Sequence, residues 1–238
     1  MNYIKKSELK NLLKDKLEYK YSDFNLISSK NRLYKEIKGG LLMIDYRIND
    51  AYNFEKDEIA WRIEVSFFIG FEAVHKWFEP FEHRSKKDYK YYWTYGSNLD
   101  NILGHKTQMD VDEPNVNDFL RDVIEKVDDS FNGFYAENKD LNNLYKNKVP
   151  FTLNSIDDVK SMKTFNVRTA IEILTIAWLL RDTNFNKILH LFKYRIEELI
   201  NVGDPMSKHY YPKFNEIIEA LKKTNFSDSI LSLQNNAA

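Results

Sequence analysis

The chain has 238 residues, 43% of them apolar and 30% charged, which is enough to bury a core without covalent crosslinks and too apolar for a disordered chain. A net charge of −1 gives no global attraction to nucleic acid or to a membrane surface. There are no cysteines, so disulfides, thiolate catalysis and thiolate-held metals are excluded.

The N-terminus, MNYIKKSELK, lacks the apolar stretch of a secretion signal. The longest apolar-rich run, Ala170–Leu180, is interrupted by Glu172 and Thr175 and falls short of the about 20 residues a bilayer span needs. The expectation is a cytoplasmic protein with no membrane contact.

In chain order, Leu9, Leu12, Leu13 and Leu17 recur at helical spacing, which predicts an amphipathic opening helix over residues 5–20. The period then changes to two. Gly39-Gly40 marks a hairpin that places Leu33 and Ile37 on one face with Leu42, Ile44 and Tyr46, and Arg32, Tyr34 and Glu36 on the other with Met43, Asp45 and Arg47. A strand over residues 24–28 precedes it. Residues 59–71 alternate, with Ile59, Trp61, Ile63, Val65, Phe67, Ile69 and Phe71 on one side and Phe68 as the exception on the other. A further strand is expected over residues 88–95.

Residues 61–95 hold 12 of the 35 aromatic residues, and nearly all rings in the two predicted strands share one face, as core residues do. The link between them, 72–87, follows no strand period. There Trp77, Phe78 and Phe81 sit among His75, Lys76, His83 and Arg84.

From about residue 113 the period is helical. Val116, Phe119, Leu120, Val123, Ile124, Val127 and Phe131 form one stripe after Pro114-Asn115, with Asp118 in the first turn. A short helix follows at Leu141–Tyr145, then a helix over 167–181 that is apolar on most sides. A stripe from Phe185 to Leu199 carries His190 beside it and ends at Gly203-Asp204-Pro205. A last helix holds Phe214, Ile217, Ile218 and Leu221, and the tail from Ser232 reads as frayed. Segregated strands and helices give an α+β fold: an N-terminal helix, an antiparallel sheet of four to five strands, and a C-terminal helical half. The expected division is 1–147, helix plus sheet and covering helices, and 148–238, a helical subdomain packed on it or part of one single domain, with residues 146–155 as the seam.

No nucleotide-binding or hydrolase motif occurs, and none of the five histidines pairs at metal-ligand spacing. No metal or other cofactor is expected. Asp45 and Glu64 on neighbouring strands could hold a divalent ion for phosphodiester cleavage. However, Ser66 stands where a nuclease pattern places lysine, and Arg47 and Arg62 can neutralise both acids. The basic and aromatic segment 72–92 is the alternative as a nucleic-acid-binding module. The segment 101–130 carries eight acidic residues against three basic ones, among them Asp110, Asp112, Glu113, Asp118 and Asp122. These acids, with Trp77, Phe78, Phe81 and Arg84, are the candidate partner-binding residues.

The chain resembles a bacterial family of small α+β domains of unknown function. The resemblance rests on the opening helix KSELKNLLKDKL, the hairpin NRLYKEIKGGLLMIDYRI, the strand WRIEVSFFIGF and the helical stretch DDSFNGFYAENKDLNNLYKN, and spans residues 5–200. Some members look like immunity proteins, and the family has no agreed catalytic residues to carry over. The resemblance implies a non-enzymatic binding protein that neutralises a bacterial toxin, with another protein as partner rather than nucleic acid.

Overall fold

The structure, a computed structural model, describes residues 4–75, 92–149, 153–162, 165–224 and 232–233. It is an α+β fold in the expected order: a helix, an antiparallel sheet, then a helical half.

Helix α1 (Lys6–Lys20) buries Leu9, Leu13 and Leu17, three residues four apart and so on one side of the cylinder. Burying each contributes roughly 1.5–3 kcal/mol. Strand β1 (Asn25–Ile27) leads into a single 3-10 turn (Ser28–Lys30), and Asn31 takes a left-handed conformation (φ 50°) before β2 (Arg32–Ile37). Strands β3 (Gly40–Asn53) and β4 (Glu58–Phe71) form the long centre of the sheet. The expected apolar face of the β2–β3 hairpin is buried, but Met43, expected on the opposite face, is buried as well. Leu33, Ile37, Leu42, Ile44 and Tyr46 are buried, and Arg32 and Asp45 meet on the other side.

After β4 comes a single helical turn, α2 (Glu72–His75). The described part of the predicted 88–95 strand is not a strand, Tyr95 excepted. Tyr92 and Trp93 are irregular, Trp93 is exposed, and β5 is Tyr95–Asn98. The aromatic alternation was outweighed by main-chain pairing: Ser66–Ile69 of β4 is matched to Tyr95–Asn98, where glycine, serine and asparagine have little strand preference of their own. Asn98 also caps helix α3 (Leu99–Leu103), accepting from the Asn101 amide at 2.8 Å. Strand β6 (Gln108–Asp110), which the periodicity did not reveal, pairs with Ala60–Arg62 on the same side of β4 as β5. Asp100 of α3 accepts from Arg62 of β4 at 2.8 Å and from the Thr107 amide at 3.0 Å, tying the insertion to the strand.

Helix α4 (Val116–Asn138) presents Leu120, Val123, Val127, Phe131 and Phe134 inward. Phe131 lies 5.7 Å from Phe67 of β4 and 5.7 Å from Tyr21, both ring-centroid distances. That contact fixes α4 on the sheet and beside the end of α1.

The second half holds α5 (Leu141–Lys148), α6 (Ile156–Ser161), α7 (Val167–Leu179), α8 (Phe185–Asn201) and α9 (Pro205–Lys223). Helix α7 packs against α5, α8 and α9 and is buried almost all round, as its apolar sequence predicts. Polar residues cap the starts: Asp140 for α5, Ser155 with Asp158 for α6, Asn166 for α7 and Asp204 for α9. His190, beside the stripe as expected, is exposed on α8. The expected fraying from Ser232 does not extend to its first two residues. Leu233 is buried and its amide donates to the Lys139 carbonyl at 2.7 Å.

The chain divides into two compact units. One comprises Met1–Ile37, Leu41–Ile69 and Tyr95–Glu137; the other comprises Lys38–Gly40, Gly70–Thr94 and Asn138–Ala238.

Candidate docking surface

The first unit carries the acidic candidates. Helix spacing sets out four of its carboxylates in a line: Asp118, Asp122, Glu125 and Asp129 fall at i, i+4, i+7 and i+11 of α4, and all four are exposed. Arg121 sits against the first two, at 2.9 Å from Asp118 and 3.9 Å from Asp122.

Beside this stripe runs a groove of about 790 Å³ between α4 and α1. Leu12, Tyr19 and Ile124 supply its apolar surface, and its charged lining mixes Asp15, Glu125, Asp128 and Asp129 with Lys16, Lys20 and Arg121. Tyr19 is 88% exposed. Near the groove's end Lys20 donates to Asp128 at 2.7 Å, and the Tyr21 hydroxyl donates to the same carboxylate at 3.4 Å. Burial, then the Asp128 charge, pushes the Tyr21 pKa far up; the Asp128 hydrogen bond raises that of Lys20.

Asp110, Asp112 and Glu113 form the turn ahead of α4 and are half-buried. Asp110, at the end of β6, is held by the β3–β4 hairpin. Asn53 Nδ2 donates to it at 2.9 Å and Lys56 Nζ donates to its second oxygen. These hydrogen bonds, Asn53 first, hold the Asp110 carboxyl below its usual range; the Asp110 contact, with the Asp112 and Glu58 charges, raises the Lys56 pKa.

The sign of the pH effect follows. A carboxyl whose pKa is depressed by folding stabilises above its unfolded value, near 4, and loses that contribution as pH falls through the folded value. We expect the amide resonances of residues 52–57 to shift below pH 4 as the hairpin loosens from β6. Asp110→Asn should remove that response and lower stability at neutral pH by about 0.5 kcal/mol, read by chemical denaturation.

The hairpin tip itself was not foreseen. Phe54 is 88% exposed, Tyr52 42% and Ile59 58%, and the Tyr52 and Phe54 rings meet edge-on with centroids 5.1 Å apart. The sequence leads one to expect Ile59 on the buried side of β4. It stands instead at the end where the strand runs out into solvent. The turn is built locally: Asn53 Oδ1 accepts from the Glu55 amide at 3.1 Å, Asp57 takes a left-handed conformation (φ 58°), and the Tyr52 hydroxyl donates to Asp57. The signal available in the sequence was one phenylalanine inside an otherwise polar turn, Asn53-Phe54-Glu55-Lys56-Asp57.

The other candidates divide differently. Trp77, Phe78, Phe81 and Arg84 lie outside the described residues, as does most of segment 72–92. Asp45 engages both oxygens on Arg32, at 2.5 and 2.6 Å, so the partner is Arg32 and not Arg47, whose side chain is exposed. Glu64 lies 3.3 Å from Arg62, which also serves Asp100. Among the described residues no group of three or more histidine or carboxylate side chains is placed to hold a metal ion. No described helix is long and apolar enough to cross a membrane.

The chain matches no protein-family model, no curated protein and no solved structure. Its surface chemistry is therefore what supports a functional reading.

Proposed function

We propose that this chain is a non-enzymatic binding protein of the immunity type, which captures a basic protein, such as a nuclease toxin with a cationic substrate cleft. One observation carries the reading: the line of exposed carboxylates Asp118, Asp122, Glu125 and Asp129 on α4, beside a groove partly lined by Leu12, Tyr19 and Ile124. Apolar surface beside an excess of carboxylates, with Arg121 and Lys20 as the cations among them, lets a partner be steered electrostatically and then held by desolvation. The family resemblance of the α1, hairpin and β4 segments supports the same reading.

The test is co-expression with the product of the neighbouring gene. A stable complex and protection of the host from that product are expected. Replacing the four stripe carboxylates by lysine should slow association by about ten-fold or more at low salt and reverse its salt dependence. The absence of both a complex and protection would sink the proposal.

A further inference from the structure

We propose that the tip of the β3–β4 hairpin is a second docking surface, on which Phe54 and Tyr52 anchor an apolar side chain of a lysine- or arginine-rich polypeptide segment. It rests on the reading of the chain as a binder of basic proteins, but concerns a different surface.

Three observations meet here. First, the tip is apolar where a soluble chain has no folding reason for it to be. Phe54 at 88% exposure contributes almost nothing to a core, and Ile59 and Tyr52 flank it. Large apolar residues that project together mark contact sites rather than scattered surface residues. Second, the aromatics are held and not dangling. The Tyr52–Phe54 edge contact, the Tyr52–Asp57 hydrogen bond and the Asn53 and Lys56 ties to Asp110 fix the turn to β6. Pre-organised aromatic side chains lose little conformational entropy on binding, which is why they dominate interface energetics. Third, the surroundings select the sign of the partner. Glu55 and Asp57 lie in the turn, Glu58 opens β4, and the charges of Asp112 and Glu58 act on Lys56 of the turn. The cation among them, Lys56, is already engaged by Asp110. An acidic excess beside the aromatic anchors repels an anionic lipid surface and a second copy of the same tip, and attracts a cationic segment.

The experiment selects peptides from a random phage-displayed library on the full-length chain. The expected result is enrichment of sequences with lysine or arginine around one or two bulky apolar residues. As synthetic peptides, these should lose about ten-fold or more in affinity for Phe54→Ser, a change at an exposed site that leaves the fold intact. The double variant Glu55→Lys/Glu58→Lys should weaken them comparably and flatten their salt dependence. Replacing the α4 stripe by lysine should leave them bound. The inference is overturned if no peptide is selected, if the selected peptides are not basic, or if they bind Phe54→Ser as tightly as the parent chain. It is also overturned if vesicles of phosphatidylcholine bind the parent chain more tightly than the peptides do, which would make the tip a lipid contact. Failure here with a stable complex in co-expression leaves the proposed function standing; the reverse pattern removes the proposed partner and keeps the surface.

Discussion

Glu172→Ala should destabilise the chain by about 3 kcal/mol, measured as a drop in the denaturation midpoint at unchanged slope. Glu172 lies in the middle of α7, on a helix otherwise committed to the core, and its carboxylate is buried. It is tolerated there because two cations reach it. Lys148 from the end of α5 donates at 2.7 Å and Arg168, one turn earlier on α7, at 3.0 Å. The two cations differ. Lys148 is itself buried, whereas Arg168 is a third exposed and lies over the Trp93 ring at 5.3 Å. Removing the carboxylate lets Arg168 turn to water but strands the Lys148 ammonium, and an unpaired buried charge carries most of the cost. The double replacement Lys148→Met/Glu172→Leu should recover most of the loss, because apolar groups of similar volume replace a buried pair at little net cost. If Glu172→Ala is silent, the cluster is more hydrated than its geometry indicates.

Gly40→Ala should be as damaging, at about 3 kcal/mol or more, and should lower soluble yield. At the first residue of β3, an added Cβ would stand 1.9 Å from the Gly70 carbonyl oxygen and 2.9 Å from Leu233. The oxygen is main chain and cannot rotate away, so the strand itself must move. Gly70 is confined in turn, because a Cβ there would lie 2.6 Å from the Tyr92 carbonyl oxygen. Gly133 is the control. It is exposed within α4 with nothing within 4 Å of an added Cβ, so Gly133→Ala should stabilise by about 0.5–1 kcal/mol through helix propensity alone. Thermal denaturation of Gly40→Ala, Gly70→Ala and Gly133→Ala side by side separates close approach from backbone entropy.

The parts of the fold that could be read from the sequence are those with sustained periodicity. Helix α1, the β2–β3 hairpin faces, β4 and the stripes of α4, α7 and α8 all repeat over three or more turns or strand pairs. The short elements could not be read. β6 is Gln-Met-Asp, three residues with no alternation to display, and it exists because the Ala60–Arg62 main chain offers it partners. β5 is built of residues that prefer loops and is held the same way. The candidate site divides along the same line. The acidic excess before and within α4 is visible in composition, and helix geometry alone arranges Asp118, Asp122, Glu125 and Asp129. The link between Asp110 and the hairpin tip is not visible. It joins residues 54 and 57 positions apart, and it depends on the register of a strand too short to recognise.

The way β5 and β6 share one side of β4 has a consequence for aggregation. A long central strand paired on one side only by two short ones, with α3 between them, never presents an uninterrupted row of free amides and carbonyls to another chain. At the opposite boundary β1 is three residues long. Among the described residues, the strands outside β4 and the strand outside β2 are therefore each too short to template a long foreign strand, which limits fibre growth from those edges during folding. At those short edges strand addition has little main chain to offer, so recognition there falls to side chains.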